Sequence, residues 1–263
     1  MSTHLSVRRR APIRRRAISA ISGIAVAATA LTVAFSASPV AADPVVGQSV
    51  ARWEMNEAPG STVMVDTDNS RSTLNGAIGA TVTPNGMTHT FAKDMPADGY
   101  RPGHTNVVPH HDDLNPGSGN FAFTIRYNTS YSFGNIMQKG QGTVKGGYWK
   151  LENPNRQPRC MFRGSNGETR TGFLNGNAAG VQLSKGWHTI TCERIMSPPP
   201  GVKPYVRMWV DGVAQKKAIG STGTIANKSP LSIGGKSNCD GTSAAKSCDY
   251  FIGQIDFIEI RKG

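Results

Sequence analysis

The sequence is short of charge, cysteine and aromatic residues. Of its 263 residues, 17% are Asp, Glu, Lys or Arg, 7% are Phe, Trp or Tyr, and four are Cys. This composition excludes collagen-like, coiled-coil and disordered chains. No two cysteines stand in a Cys-x-x-Cys pair, so the usual spacing of a zinc or thiol-redox site is missing. There is also no Gly-x-Ser-x-Gly, no His-Glu-x-x-His and no Gly-x-x-x-x-Gly-Lys-Ser/Thr, so common signatures of serine hydrolases, zinc peptidases and P-loop proteins are lacking. After residue 35 no stretch approaches 18 consecutive apolar residues, which leaves residues 43–263 without a transmembrane helix.

Acidic residues are scarcest at the start. Residues 1–42 contain none, but they hold six arginines, at positions 8–10 and 14–16. Without that segment the formal charge of +12 falls to +6, with 23 basic against 17 acidic residues. This is ordinary basicity without the clustering of a nucleic-acid binder, so no nucleic-acid partner is expected.

The arginines precede an uncharged 19-residue run, Ala17 to Phe35, and then Pro39-Val40-Ala41-Ala42. A basic region, an apolar region and a small-residue site in that order predict an export signal peptide. Cleavage is expected after Ala42, leaving a single secreted domain of residues 43–263. The four cysteines, Cys160, Cys192, Cys239 and Cys248, suit an oxidising compartment and allow three connectivities. The pairing expected is Cys160–Cys192, stapling two strands, with Cys239–Cys248 closing a short polar loop.

The rest reads as strands. In Phe121 to Tyr127, Phe121, Phe123, Ile125 and Tyr127 share one face and Ala122, Thr124 and Arg126 the other, the period of a half-buried strand. Further strands are predicted over Val50–Met55, Asn135–Lys139, Gly147–Leu151, Arg159–Arg163, Trp187–Ile195, Pro204–Val210, Val213–Ala218, Leu231–Gly234 and Tyr250–Ile260. Asp211-Gly212 predicts a type I′ hairpin turn, since both residues tolerate positive φ. In the last strand the apolar parity switches between Ile255 and Ile258, which predicts a β-bulge near Asp256-Phe257. About a dozen strands without helical periodicity imply an all-β sandwich or jelly roll.

The order of segments adds a resemblance. Trp53-Glu-Met-Asn-Glu57, Val65-Asp66, Leu74-Asn-Gly76, Leu114-Asn-Pro-Gly-Ser-Gly-Asn-Phe121, Ile136-Met-Gln-Lys-Gly140, Trp187-His-Thr-Ile-Thr-Cys192, Val210-Asp-Gly212, Pro230-Leu-Ser-Ile-Gly-Gly235 and Phe251-Ile-Gly-Gln-Ile-Asp256 follow one another. From about Val50 to Ile260 this resembles a laminin G-like domain of the concanavalin A-like lectin/glucanase superfamily, in the secreted version of actinomycete-type bacteria. The resemblance implies a jelly-roll β-sandwich of two antiparallel sheets of about six or seven strands. It also implies ligands on the concave face or at a calcium-bearing loop rim.

The superfamily includes glycosidases with Glu-x-Asp-x-x-Glu on one strand. Here Gln254-Ile-Asp256-Phe-Ile-Glu259 puts an amide where the nucleophile would stand, and an uncharged amide cannot form a glycosyl-enzyme at neutral pH. No catalytic residue is assigned. The expected function is a non-catalytic module that binds extracellular or cell-envelope glycan, the alternatives being a polysaccharide lyase or hydrolase, or a protein-interaction or structural envelope module. In His110-His111-Asp112-Asp113 only alternate members, such as His111 with Asp113, can share a side.

Two sets of candidate ligand residues follow from side-chain chemistry. Asp66 and Asp68, in Asp66-Thr-Asp68-Asn-Ser70, supply loop oxygens suited to Ca2+. Tyr205, Arg207 and Trp209 lie opposite the apolar Val206, Met208 and Val210, offering an aromatic platform and a cation to a sugar.

Overall fold

The computed structural model describes residues 46–68, 70–92, 103–177, 181–236 and 248–263. The expected signal segment and Cys239 lie outside the described residues. The described chain is a β-sandwich of two antiparallel sheets, the jelly-roll class implied by the resemblance. Among the described residues no helix is long and apolar enough to cross a membrane.

One sheet runs Val213–Ala214, Tyr205–Val210, Trp187–Ile195, Phe121–Asn128, Gly253–Lys262, His89–Phe91, Val82–Pro84. Gln48–Trp53 also pairs with Gly253–Lys262, and Ala218–Ile219 with Tyr205–Val210. The other sheet runs Thr169–Phe173, Arg159–Arg163, Tyr148–Glu152, Asn135–Lys139, Leu231–Ile233, Asn106–Val108, Gly76–Ala77, Val63–Met64. The sheets therefore hold nine and eight strands among the described residues, more than the six or seven expected. The additions include Val63–Met64, Gly76–Ala77, Val82–Pro84 and Asn106–Val108, two or three residues each. Segments that short cannot display a period of two.

Phe121–Asn128 lies between Trp187–Ile195 and Gly253–Lys262 and is predicted correctly because it alternates cleanly. Its Phe121 and Phe123 meet Trp149 and Phe162 of the opposite sheet, with ring centroids 4.9–6.4 Å apart. The bulge falls where the parity switch demands, between Ile255 and Phe257. Asp211 and Gly212 have φ of +48° and +78°, and Val210 pairs with Val213. Val206, Met208 and Val210 are buried on the core side as predicted.

Cys160 and Cys192 form a disulfide between residues 32 apart in sequence. It joins one sheet to the other. Cys248 is buried and also disulfide-bonded. Closing a loop of that length restricts the unfolded chain by about 3–4 kcal/mol. Replacing Cys160 and Cys192 together by alanine is expected to lower unfolding free energy by that amount in urea titrations. A change under about 1 kcal/mol would show that the sheets hold together without the staple.

A second tie between the sheets is polar. His89 is fully buried, and its Nε2 donates to Glu57 Oε2 at 2.7 Å, while its Nδ1 accepts from Asn106 Nδ2 at 2.9 Å. Glu57 Oε1 accepts the Val65 N–H at 2.7 Å. Burial alone would raise the Glu57 carboxyl, but the bonds from His89 and Val65 outweigh it and hold the pKa below the ordinary 4.5. A carboxyl depressed by folding contributes stability above its unfolded pKa and loses it as pH falls through the folded value. Acid titration of Glu57→Gln should therefore show a weaker loss of stability below pH 4.5 than the parent. Parallel curves would remove this pair from the acid response.

Candidate functional site

Three loops meet at one end of the second sheet. Residues 140–147 join Asn135–Lys139 to Tyr148–Glu152, residues 164–168 join Arg159–Arg163 to Thr169–Phe173, and residues 220–230 lead into Leu231–Ile233. Between them lies a cleft of about 900 Å3. Glycine lets the loops close together: a Cβ on Gly146 would meet the Ala226 carbonyl oxygen at 1.8 Å, and one on Gly147 the Arg163 oxygen at 2.0 Å. Both have positive φ, +94° and +81°.

The walls are cross-linked. Ala226 N–H donates to the Gly146 carbonyl at 2.9 Å, and Ser165 N–H to Thr224 at 2.8 Å. Asn227 Nδ2 donates to the Gly147 carbonyl at 2.9 Å, and Asn227 Oδ1 accepts from Ser229 N–H at 3.0 Å. Each wall is thus braced by backbone bonds, the requirement for a preformed binding surface.

Lys145, Arg163 and Lys228 line the cleft together with Tyr148, Ser165 and Asn227, and no Asp or Glu does among the described residues. Lys228 is 82% exposed and lies 3.6 Å from Asp112, itself 78% exposed. Such an exposed pair is weak and leaves the ammonium open to a ligand.

More positive charge sits behind the wall. Lys139 is fully buried and donates to the carbonyls of Ser229 at 2.5 Å and Asn227 at 3.2 Å, with His110 Nδ1 at 3.1 Å. Burial pushes its ammonium down to about 8; Lys228 acts in the same direction and Asp112 opposes both. Arg194 is also fully buried and donates to Thr222 Oγ1 at 2.8 Å and to the carbonyls of Gly223 at 2.6 Å, Gly117 at 3.3 Å and Gly119. Neither cation pairs with a carboxylate among the described residues. Both are held by the 222–229 segment, which forms one wall of the cleft.

The His-Asp run borders this region. His110 lies 3.4 Å from Asp112 and His111 3.3 Å from Asp113, the alternate pairing expected from the sequence. Burial and the charges of Lys139 and Lys228 lower the His110 pKa.

Tyr205, Arg207 and Trp209 do share the outer face of the first sheet, but they converge on Glu193, whose side chain is 6% exposed. Glu193 Oε2 accepts from Arg207 Nη2 at 2.8 Å, Arg207 Nε at 3.0 Å and Trp209 Nε1 at 2.8 Å. The guanidinium lies 4.3 Å from the Trp209 ring centre and 5.4 Å from that of Tyr205. Arg207 is therefore neutralised within the sheet. Tyr205 packs with Val46, Ala122 and Ile195. Trp209 lines a groove of about 280 Å3 with Thr124, Thr191 and Phe257.

Asp66 is 2% exposed. Its Oδ1 accepts N–H bonds from Arg52 at 2.9 Å and Asp68 at 3.0 Å, and its Oδ2 one from Leu74 at 2.8 Å. Asp68 accepts from Ser70 N–H at 2.9 Å. These carboxylates organise a loop, and among the described residues no group of three His, Cys, Asp or Glu side chains is placed to hold a metal. In the last strand, Asp256 pairs with Arg126, and Glu259 lies 3.3 Å from Arg261 and 3.8 Å from Arg52.

No protein-family model matches the chain, and no curated protein does. Solved structures do. The receptor-binding domain of botulinum neurotoxin D superposes with a TM-score of 0.55 at 12% identity, over 81% of this chain and 48% of that one. The same type of domain in complex with N-acetylneuraminic acid gives 0.51 at 11% identity, over 81% and 46%. The binding domain of Paraclostridial Mosquitocidal Protein 1 gives 0.54 at 11% identity, over 81% and 48%. The chain spans about half the length of these structures, and at such identities the likeness is one of fold.

Proposed function

We propose that the chain is a secreted module that binds extracellular or cell-envelope carbohydrate, and that its ligand is an anionic glycan held in the loop cleft. One observation carries the reading: an open cleft of about 900 Å3 lined by Lys145, Arg163 and Lys228 and by no carboxylate among the described residues. Cations on preformed walls favour sulfate or carboxylate through charge-assisted bonds, and the exposed Ser165 offers sugar hydroxyls a polar partner. A neighbour of the same fold has been solved with N-acetylneuraminic acid, an acidic sugar, which supports an anionic ligand by analogy. Export rests on the basic and apolar segments of residues 1–42.

The test is a glycan array that includes uronic and sulfated polymers, probed at low and high salt and with and without chelator. Binding to anionic polymers that weakens with salt is expected. Chelator should leave it unchanged, because the Asp66 oxygens are taken by backbone N–H groups. Binding confined to neutral sugars, or none at all, would overturn the proposal.

A further inference from the structure

We propose that Ser184, His188 and Asp211 form a second site, a hydrolytic one that opens small acyl esters through an acyl-serine. Ser184 stands in the loop entering Trp187–Ile195, and Asp211 in the turn after Tyr205–Val210, which that strand pairs with. The Asp211 carboxylate is anchored through Oδ1, which accepts the Thr189 N–H at 2.8 Å. Its Oδ2 accepts from His188 Nδ1 at 2.7 Å. In the tautomer with the proton on Nδ1, Nε2 is the basic nitrogen and lies 2.9 Å from Ser184 Oγ; its 3.3 Å contact with the Ser184 carbonyl oxygen is not a hydrogen bond in that tautomer. Carboxylate, imidazole and hydroxyl are thus linked in the order, and at the distances, of an activated nucleophile.

Each role has a group in place. Ser184 Oγ attacks the ester carbonyl carbon as its proton passes to His188 Nε2. The bond from that carbon to the alcohol oxygen breaks, and the alcohol leaves with the proton. Water then attacks the acyl-serine, giving a proton to Nε2; the carboxylic acid departs and Ser184 recovers its hydroxyl. Asp211 faces the imidazolium formed in each half.

The setting selects the substrate class. Ser184 is exposed, the Asp211 side chain is 50% exposed, and nothing stands within 4 Å of the place a Cβ on Gly186 would occupy. Among the described residues such an open site has no walls for a long acyl chain, and it leaves room for an ester carried on a large alcohol. Short acyl groups such as acetyl on polymer hydroxyls fit it.

The test uses the purified, oxidised protein with a fluorophosphonate probe and with p-nitrophenyl acetate, and maps the labelled residue by mass spectrometry. Probe on Ser184 is expected. Ser184→Ala should lose it, and His188→Gln should slow both labelling and ester turnover about 100-fold or more. Thermal melting of each variant separates loss of chemistry from loss of fold, and Asp211→Asn, which suits the positive φ of the turn, gives an independent lowering of the rate. A wild-type protein that stays unlabelled, or labelling that persists in Ser184→Ala, would overturn the assignment.

Discussion

Arg194→Ala should lower the unfolding free energy by about 3–5 kcal/mol, from buried acceptors left without a donor at about 1–3 kcal/mol each and from the cavity left behind. Arg194 is fully buried and no carboxylate neutralises it among the described residues. Burial pushes its guanidinium down to about 10, so it still carries its proton at neutral pH. The charge is tolerated because the Gly117, Gly119 and Gly223 carbonyls and the Thr222 hydroxyl all point at it. Alanine would leave those acceptors without donors and open a cavity. Arg194→Met keeps most of the volume and restores none of the bonds, so it should recover only the cavity part of the loss. Urea titrations with an unchanged m-value check both variants. A loss below about 1 kcal/mol in the alanine variant would mean that water satisfies the carbonyls and that Arg194 does not brace the cleft wall.

Reversing the charge of the cleft should abolish ligand capture with little change in stability. Arg163→Glu combined with Lys228→Glu is expected to weaken binding of a sulfated or uronic oligosaccharide about 100-fold or more, since charge-assisted bonds are worth about 1.5–3 kcal/mol each and the new carboxylates repel the ligand. Lys228 is an exposed side chain whose neighbour Asp112 is also exposed, so its replacement should not disturb the fold. Isothermal calorimetry on the variant and the parent measures the effect. Trp209→Ala is the matched control: its ring belongs to the groove on the sheet face, and binding should stay within about twofold of the parent. If Trp209→Ala removes binding and the double reversal does not, the ligand lies on the sheet face.

The two ligand sets read from the sequence are re-cast by partners far away in the chain. Arg207 reads as a cation offered to a sugar because it shares the face of Tyr205 and Trp209, opposite the apolar Val206, Met208 and Val210. Its neutraliser, Glu193, comes from the adjacent strand, where Glu193 pairs with Arg207. Asp66 looked like a metal ligand, but the N–H groups of Arg52 and Leu74 reach it from either side. In both cases residue type was read correctly and the surroundings were not visible.

Sequence alone determined what depends on a few consecutive residues. Alternation set the face of Phe121–Asn128 and of Tyr205–Val210, the parity switch set the bulge at Asp256, and two residues tolerant of positive φ set the hairpin at Asp211. Side-chain direction in a strand is fixed by the backbone every second residue, so these features need no knowledge of distant chain. Only the tertiary structure decided which loops meet. The cleft joins residues 140–147, 164–168 and 220–230 because Leu231–Ile233 pairs with Asn135–Lys139 across almost a hundred residues. Ser184, His188 and Asp211 come together through strand pairing of the same kind. Strand order is set by which faces bury against one another over the whole sandwich, and no local pattern in the sequence encodes it.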